Sequence, residues 1–416
     1  MRLTLSRPVL AGMLFVVALP FNFVYSYLVA RGLFPIIPGL VGLMTYGLLI
    51  SLLTLAPTDT KIWRHRFIVV TLIMLAYALV TALLYRFAFT AINPEVDREL
   101  FDYHSINIIR SLAFLLIGIH LTCFTRIGQV AVVSASTMAL VVFANIDMDS
   151  LSLRMPDVDE LEGMYLFLGD TFAVTAIVAI AYLRRSIFSV AAIIVSVVVL
   201  YVIGTRTSLY AFVLVAYIYA ILLTRNMQPR LYRIASKIFI TTLTVIGIVA
   251  TLMLTDASQN RMLAFIVTGE DSSWAFRAWQ LSEGLSVIWE NPVFGQYGSD
   301  YLLLNRFGDY IHSYLEIWRQ FGIVPFTLFL IALVGAARTL WSTRARAEEP
   351  AWRMAVLLMV FSGIEITFAR TWGSPYIFAA IGMAANYAPT RRQAGRHASI
   401  SDHRTVVSLK DLNAKP

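Results

Sequence analysis

Runs of about twenty mainly apolar residues recur along almost the whole chain, and that is the length a helix needs to cross a bilayer. Twelve such runs fall near 8–30, 34–55, 67–88, 107–124, 128–145, 164–183, 187–203, 207–224, 238–255, 320–340, 353–369 and 374–389. Composition agrees: 58% of the 416 residues are hydrophobic and 14% are charged, against roughly 25% charged in a soluble domain. In lipid every backbone N–H and C=O must be bonded inside the protein, which favours helices. The expected fold is therefore all-α, a polytopic bundle of about twelve transmembrane helices over residues 1–389. Arg2 and Arg7 precede the first run, which lacks a small-residue cleavage pattern, so it is read as a span that stays in place.

Loop charge sets the orientation. With the N-terminus in the cytoplasm, the inner segments are the N-terminus, 58–66, the turn at Arg126, Arg184-Arg185, 225–237, 338–353 and the tail. They hold 22 of the 33 Lys and Arg residues, every Lys among them. The outer segments keep only arginines and are acidic, as in NPEVDRELFDYH (93–104) and DMDSLSLRMPDVDELEG (147–163). The pattern predicts N-in, C-in topology, so the net charge of +8 marks the cytoplasmic face rather than nucleic-acid binding. Residues 390–416 are polar and basic and read as a disordered cytoplasmic tail. One cysteine, Cys123, allows no intrachain disulfide. With no P-loop and no histidine–carboxylate cluster at metal-ligand spacing, no cofactor and no metal are expected.

The one long insert between spans covers 256–319, on the outer face, and mixes arginine, tryptophan and histidine. Trp274, Leu281, Leu285 and Ile288 recur at helical spacing, as do Phe276 and Trp279. This predicts an amphipathic helix lying on the membrane surface, carrying Arg277 and stopping at Asn291-Pro292, with a turn at Gly295 and Gly298. His312 follows, and Glu316 lies four residues on, where it would share a helical face and orient the ring. Histidine suits proton abstraction near neutral pH. The other five histidines are placed elsewhere: His65, His397 and His403 inside, His120 in a span, His104 in an outer loop. In Gly204-Thr205-Arg206-Thr207-Ser208 almost no loop separates two spans, which pins Arg206 at the outer surface. Glu365 lies inside a span with Arg370 at its outer end, and Asp170 is a similar intramembrane charge. Taken singly, each has a plainer reading. Arg86, Arg110 and Arg206 would snorkel to headgroups, Arg277 would be incidental to an interfacial helix, and His312 would hydrogen-bond at a helix start.

Three segments together resemble the bacterial O-antigen ligase and polysaccharide polymerase family of inner-membrane proteins. GTRTSLYAFVLVAYIYAILLTR (204–225) is similar to that family's short outer turn with an arginine, followed by a span and a basic loop. FRAWQLSEGLSVIWENPVFGQYG (276–298) is similar to its arginine-bearing loop helix and closing turn, and HSYLEIWRQFGIVPFTLFL (312–330) to its His-x-x-Leu entry into a span. The similarity covers roughly 200–340. Ser313 stands where many members have Asn, and Tyr297 departs from the small residues expected in the turn. The resemblance implies transfer of a glycan from an undecaprenyl diphosphate carrier to an acceptor hydroxyl on the periplasmic face, inverting and metal-independent. The acceptor is lipid A–core in a ligase and a second lipid-linked glycan in a polymerase. It implies Arg206 and Arg277 on the diphosphate with Arg370 as a weaker third, and His312 as base with Glu316 behind it. The expected setting is the bacterial inner membrane. A transporter or flippase is the rival class; it would favour internal repeats and helices broken at midplane, and neither is evident.

Overall fold

A computed structural model of the protein describes residues 6–35, 37, 54–56, 62–149, 151–154, 164–183, 186–224, 272–302, 311 and 313–388. The expected spans at 238–255 and, apart from a few residues, 34–55 lie outside this set, as do His312, Arg261, Arg306 and the tail from Thr390.

The described chain is almost entirely helical. Its helices are α1 (Arg7–Ala30), α2 (Arg66–Phe87), α3 (Pro94–Leu121), α4 (Ile127–Phe143), α5 (Met164–Tyr182), α6 (Ser186–Ile203), α7 (Arg206–Thr224), α8 (Ser272–Glu290), the short α9 (Ser299–Leu302) and α10 (Glu316–Phe321), α11 (Ile323–Ser342), α12 (Pro350–Phe368) and α13 (Pro375–Ala384). A two-residue antiparallel pairing, Ile146 with Leu153 and Asp147 with Ser152, is the one β feature among the described residues. Six helices are long and apolar enough to cross a membrane: α1, α2, α3, α5, α11 and α12. Ile127–Phe143, Ile187–Ile203 and Arg206–Leu222 are shorter apolar helices. Within α1, a π-type turn over Val17–Phe21 accommodates Pro20, whose missing N–H and ring would otherwise break the i→i−4 ladder.

One expectation needs correcting. Residues 93–104 are not a loop, because α3 begins at Pro94 and runs without a break into the apolar stretch. The Asn93 side chain accepts hydrogen bonds from the Glu95 and Val96 N–H groups, Pro94 takes the first helical position, and Glu95 and Asp97 sit in the first turn. Cap, proline and acidic first turn are each favourable at a helix start. Buried residues Asp97, Leu100, His104, Ile108 and Ser111 then recur at three- and four-residue steps along one face. Asp97 turns back to accept from the N–H groups of Ala91 and Ile92, both at 3.1 Å, closing the connection from α2.

Two features set the packing. Helix α5 is buried on every side from Leu168 to Ala181, so it occupies the centre of the bundle. Helices α3 and α13 approach until Gly118 lies against the Ala379 carbonyl and Gly382 against the Leu115 carbonyl, with no room for a Cβ at either glycine. Small residues permit such backbone approach where hydrophobic burial gives little drive between helices. Polar contacts then tie the helix ends in two groups. At one end, Tyr27 donates to the Arg154 carbonyl, Tyr85 stacks on Tyr297, and Ser208 and Arg370 both bind Asp170. At the other, Asn386 donates to the Ile119 carbonyl at 2.7 Å, His120 bonds the Leu55 carbonyl at 2.7 Å, and Trp352 donates to Thr343.

We predict that Gly118→Leu and Gly382→Leu each destabilise the bundle by at least ~1–3 kcal/mol, the usual cost of overpacking. Gly363→Ala, whose added Cβ meets open space, should be near neutral. Thermal unfolding in detergent checks this; wild-type melting in either leucine variant would refute the packing argument.

Candidate functional site

Three arginines singled out by sequence come to the same end of the bundle. Asp170 is the centre of one group. It lies two turns into α5 and is 5% exposed. Arg370, just past α12, grips it with both arms: Nε donates to Oδ2 at 2.6 Å and Nη2 to Oδ1 at 2.8 Å. Nη2 also reaches the Leu166 carbonyl on α5 at 3.4 Å. The Ser208 hydroxyl, in the first turn of α7, donates to Asp170 Oδ1 at 2.6 Å. Thr205 packs so closely on Gly169 that a side chain at 169 would overlap it. The α5 pair Gly169-Asp170 thus holds the turn on both sides of Arg206. Gly204 makes that turn at φ +84°, a conformation that costs glycine little.

Glu365, one turn before the end of α12, is fully buried, and its Oε2 lies 3.6 Å from Arg370 Nε. Asp170, Arg370 and Arg277 all lie within its electrostatic range. Arg277 arrives on α8, which spans Ser272–Glu290 and ends at the expected Asn291-Pro292. The face of α8 turned to the protein carries half-buried Arg277, then Gln280, Gly284 and Ile288. Of the apolar residues expected at helical spacing, Ile288 is buried, while Phe276 and Trp279 turn outward at 37% and 38% exposure, as does Trp289 at 75%.

A second network lies beside this group. Gly284 packs against the Ile311 side chain, one residue before His312. Glu316, at the start of α10, accepts the Ile311 N–H at 3.0 Å on Oε2. Its Oε1 takes Gln320 Nε2 at 2.8 Å and Arg319 Nη2 at 3.1 Å. Glu316, Arg319 and Gln320 are all 3% exposed or less. Gln320 in turn accepts the Gly298 N–H at 3.0 Å, and the Gln296 N–H donates to the Arg319 carbonyl at 2.7 Å. The turn after α8 is therefore sewn to α10. Its Gly295 and the Gly322 that starts α11 both adopt positive φ where the two backbones touch. Both carboxylate oxygens of Glu316 serve this scaffold; His312, which sequence spacing pairs with Glu316, lies outside the described residues.

Sequence reading passed over His104. It is 2% exposed on α3, within electrostatic range of Glu316. Its ring lies 5.2 Å from Tyr297 and 5.3 Å from Phe321, and Phe321 meets Trp372 at 5.6 Å. Tyr297 stacks at 4.7 Å on Tyr85. This row of rings joins α2, the turn after α8, α3, α10 and the segment after Arg370. The Asn-Pro-Glu-x-Asp helix start was the available signal, since it places residue 104 on the inward face. Among the described residues, no group of three or more His, Cys, Asp or Glu is arranged to hold a metal.

No protein-family model matches the chain, and no curated protein matches it.

Glu316→Ala should leave the buried Arg319 without its carboxylate and cost ~3–5 kcal/mol of stability. Arg319→Met combined with Glu316→Gln should recover much of that loss. Melting temperatures of the purified variants decide the matter, and an unshifted Glu316→Ala curve would count against the scaffold role.

Proposed function

We propose that this protein is a membrane glycosyltransferase of the O-antigen ligase type, transferring a glycan from undecaprenyl diphosphate to an acceptor hydroxyl. The observation that carries the reading is that two arginine-bearing segments reach one buried group at an end of the apolar bundle: the turn carrying Arg206 is held on Gly169-Asp170, and Arg277 lies within electrostatic range of Glu365, on a helix whose Gly284 packs against Ile311. The sequence resemblance supplies the donor and acceptor classes. The proposed setting is the bacterial inner membrane, with about twelve spans, both termini inside and the site facing the periplasm. Loop charge supports that orientation.

The chemistry suits the residues. As the acceptor oxygen bonds to the anomeric carbon, the bond from that carbon to phosphate oxygen breaks, and the diphosphate leaves carrying the electron pair. Negative charge grows on the leaving group, and arginine forks stabilise such charge without a metal. Arg206 opens α7, so the N-terminal helix dipole adds to its charge. His312 takes the proton released by the acceptor hydroxyl. Attack from the face opposite the diphosphate inverts the anomeric centre. Lipid A–core is the acceptor in this reading, and a second lipid-linked glycan in its polymerase counterpart.

Arg206→Ala, Arg277→Ala and His312→Ala should each reduce glycan transfer to background while membrane insertion persists. The test is purified protein with carrier-linked glycan and acceptor, scored for new glycosidic bonds. Full activity in any one variant removes that residue from the mechanism, and lipid movement without bond formation by the wild type would favour a flippase.

A further inference from the structure

We infer that Arg370 is a positioning residue rather than a ligand of the diphosphate, acting through Asp170 and Ser208 to set where Arg206 points; this rests on the glycosyltransferase reading for its consequence in catalysis. Nε and Nη2 of Arg370 bind the two oxygens of Asp170 at 2.6 and 2.8 Å, and on its other edge Nη1 and Nη2 face the Ala369 and Leu166 carbonyls at 3.3 and 3.4 Å. A planar fork on a carboxylate fixes direction as well as distance. Asp170, so held, presents Oδ1 to the Ser208 hydroxyl at 2.6 Å.

Ser208 is fully buried, and Thr205 is 1% exposed against Gly169. Arg206 lies between these two fixed points, in the first turn of α7. Its backbone is therefore defined by two successive residues of α5, one making a steric contact and the other a charged hydrogen bond. Glu365, fully buried, brings Oε2 to 3.6 Å from the same guanidinium. Arg206 itself is half-buried, so the relay acts on its backbone.

Two measurements test the relay. The first is a mutant cycle for glycan transfer with Asp170→Asn, Arg370→Lys and the double variant. Each single change should lower kcat/KM about tenfold or more, the effect of one hydrogen bond to a charged group. The double variant should fall no further than the worse single, because the two act as a unit. Ser208→Ala, which removes one hydroxyl and leaves the ion pair, should fall in the same direction. The second measurement does not depend on activity. In a Cys123→Ala background, Arg206→Cys provides a single thiol for a water-soluble maleimide on purified protein in detergent. Adding Asp170→Asn or Ser208→Ala should change its labelling rate several-fold. Losses that multiply in the double variant, or labelling at 206 that ignores Asp170→Asn and Ser208→Ala, overturn the inference. If the wild type forms no glycosidic bond, the glycosyltransferase reading fails while the labelling result still decides the relay.

Discussion

A polar side chain inside an apolar bundle must find its partner within the protein, because neither lipid nor a neighbouring leucine can satisfy it. That constraint explains most of the specific joins between helices here. Asp170 takes Arg370 and Ser208, Thr171 meets Tyr376, Ser189 meets Tyr219, His120 takes the Leu55 carbonyl, and Asn386 takes the Ile119 carbonyl and Thr122. Each such bond crosses from one helix to another element, and each leaves one relative placement favoured. The glycines at 118 and 382 act differently, by permitting contact rather than demanding it.

Asp170 has the most consequence among these joins. A bidentate ion pair from the end of α12 and a hydroxyl from the start of α7 converge on one carboxylate of the central helix. Breaking one partner of a buried pair leaves an uncompensated charge, which is far costlier than the pair is stabilising. The same asymmetry applies to Glu316 and Arg319, 3% and 1% exposed at 3.1 Å. Both ion pairs lie next to segments that carry the proposed chemistry. Both support the backbone around them: Asp170 and Arg370 the start of α7, Glu316 and Arg319 the turn after α8.

The insert is less separate than its sequence suggests. Gln320 and Glu316 bind backbone N–H groups at Gly298 and Ile311, and the rings of Tyr85, Tyr297, His104, Phe321 and Trp372 run through the junction. Helix α8 presents Gln280, Gly284 and Ile288 to the protein and turns Phe276, Trp279 and Trp289 outward. The two tryptophans, each an apolar ring with one N–H donor, suit the lipid–water boundary, which fits a helix on the membrane surface.

Much of the architecture was legible in sequence because it depends on local pattern. Apolar runs placed most of the helices, Asn291-Pro292 ended α8, and the glycine turn before Arg206 appears at Gly204. The helix start at Asn93 was equally local, and the acidic character of 93–104 hid it. What sequence could not supply was partnership. Spacing along one helix puts Glu316 one turn from His312, and the resemblance puts Arg370 on the diphosphate as a weaker third. Tertiary packing brings Ile311, Arg319 and Gln320 to Glu316, and Asp170, two hundred residues away in sequence, to Arg370. Periodicity fixes which face of a helix a residue lies on, whereas the partner of a buried charge is whatever the packed bundle brings within hydrogen-bond distance.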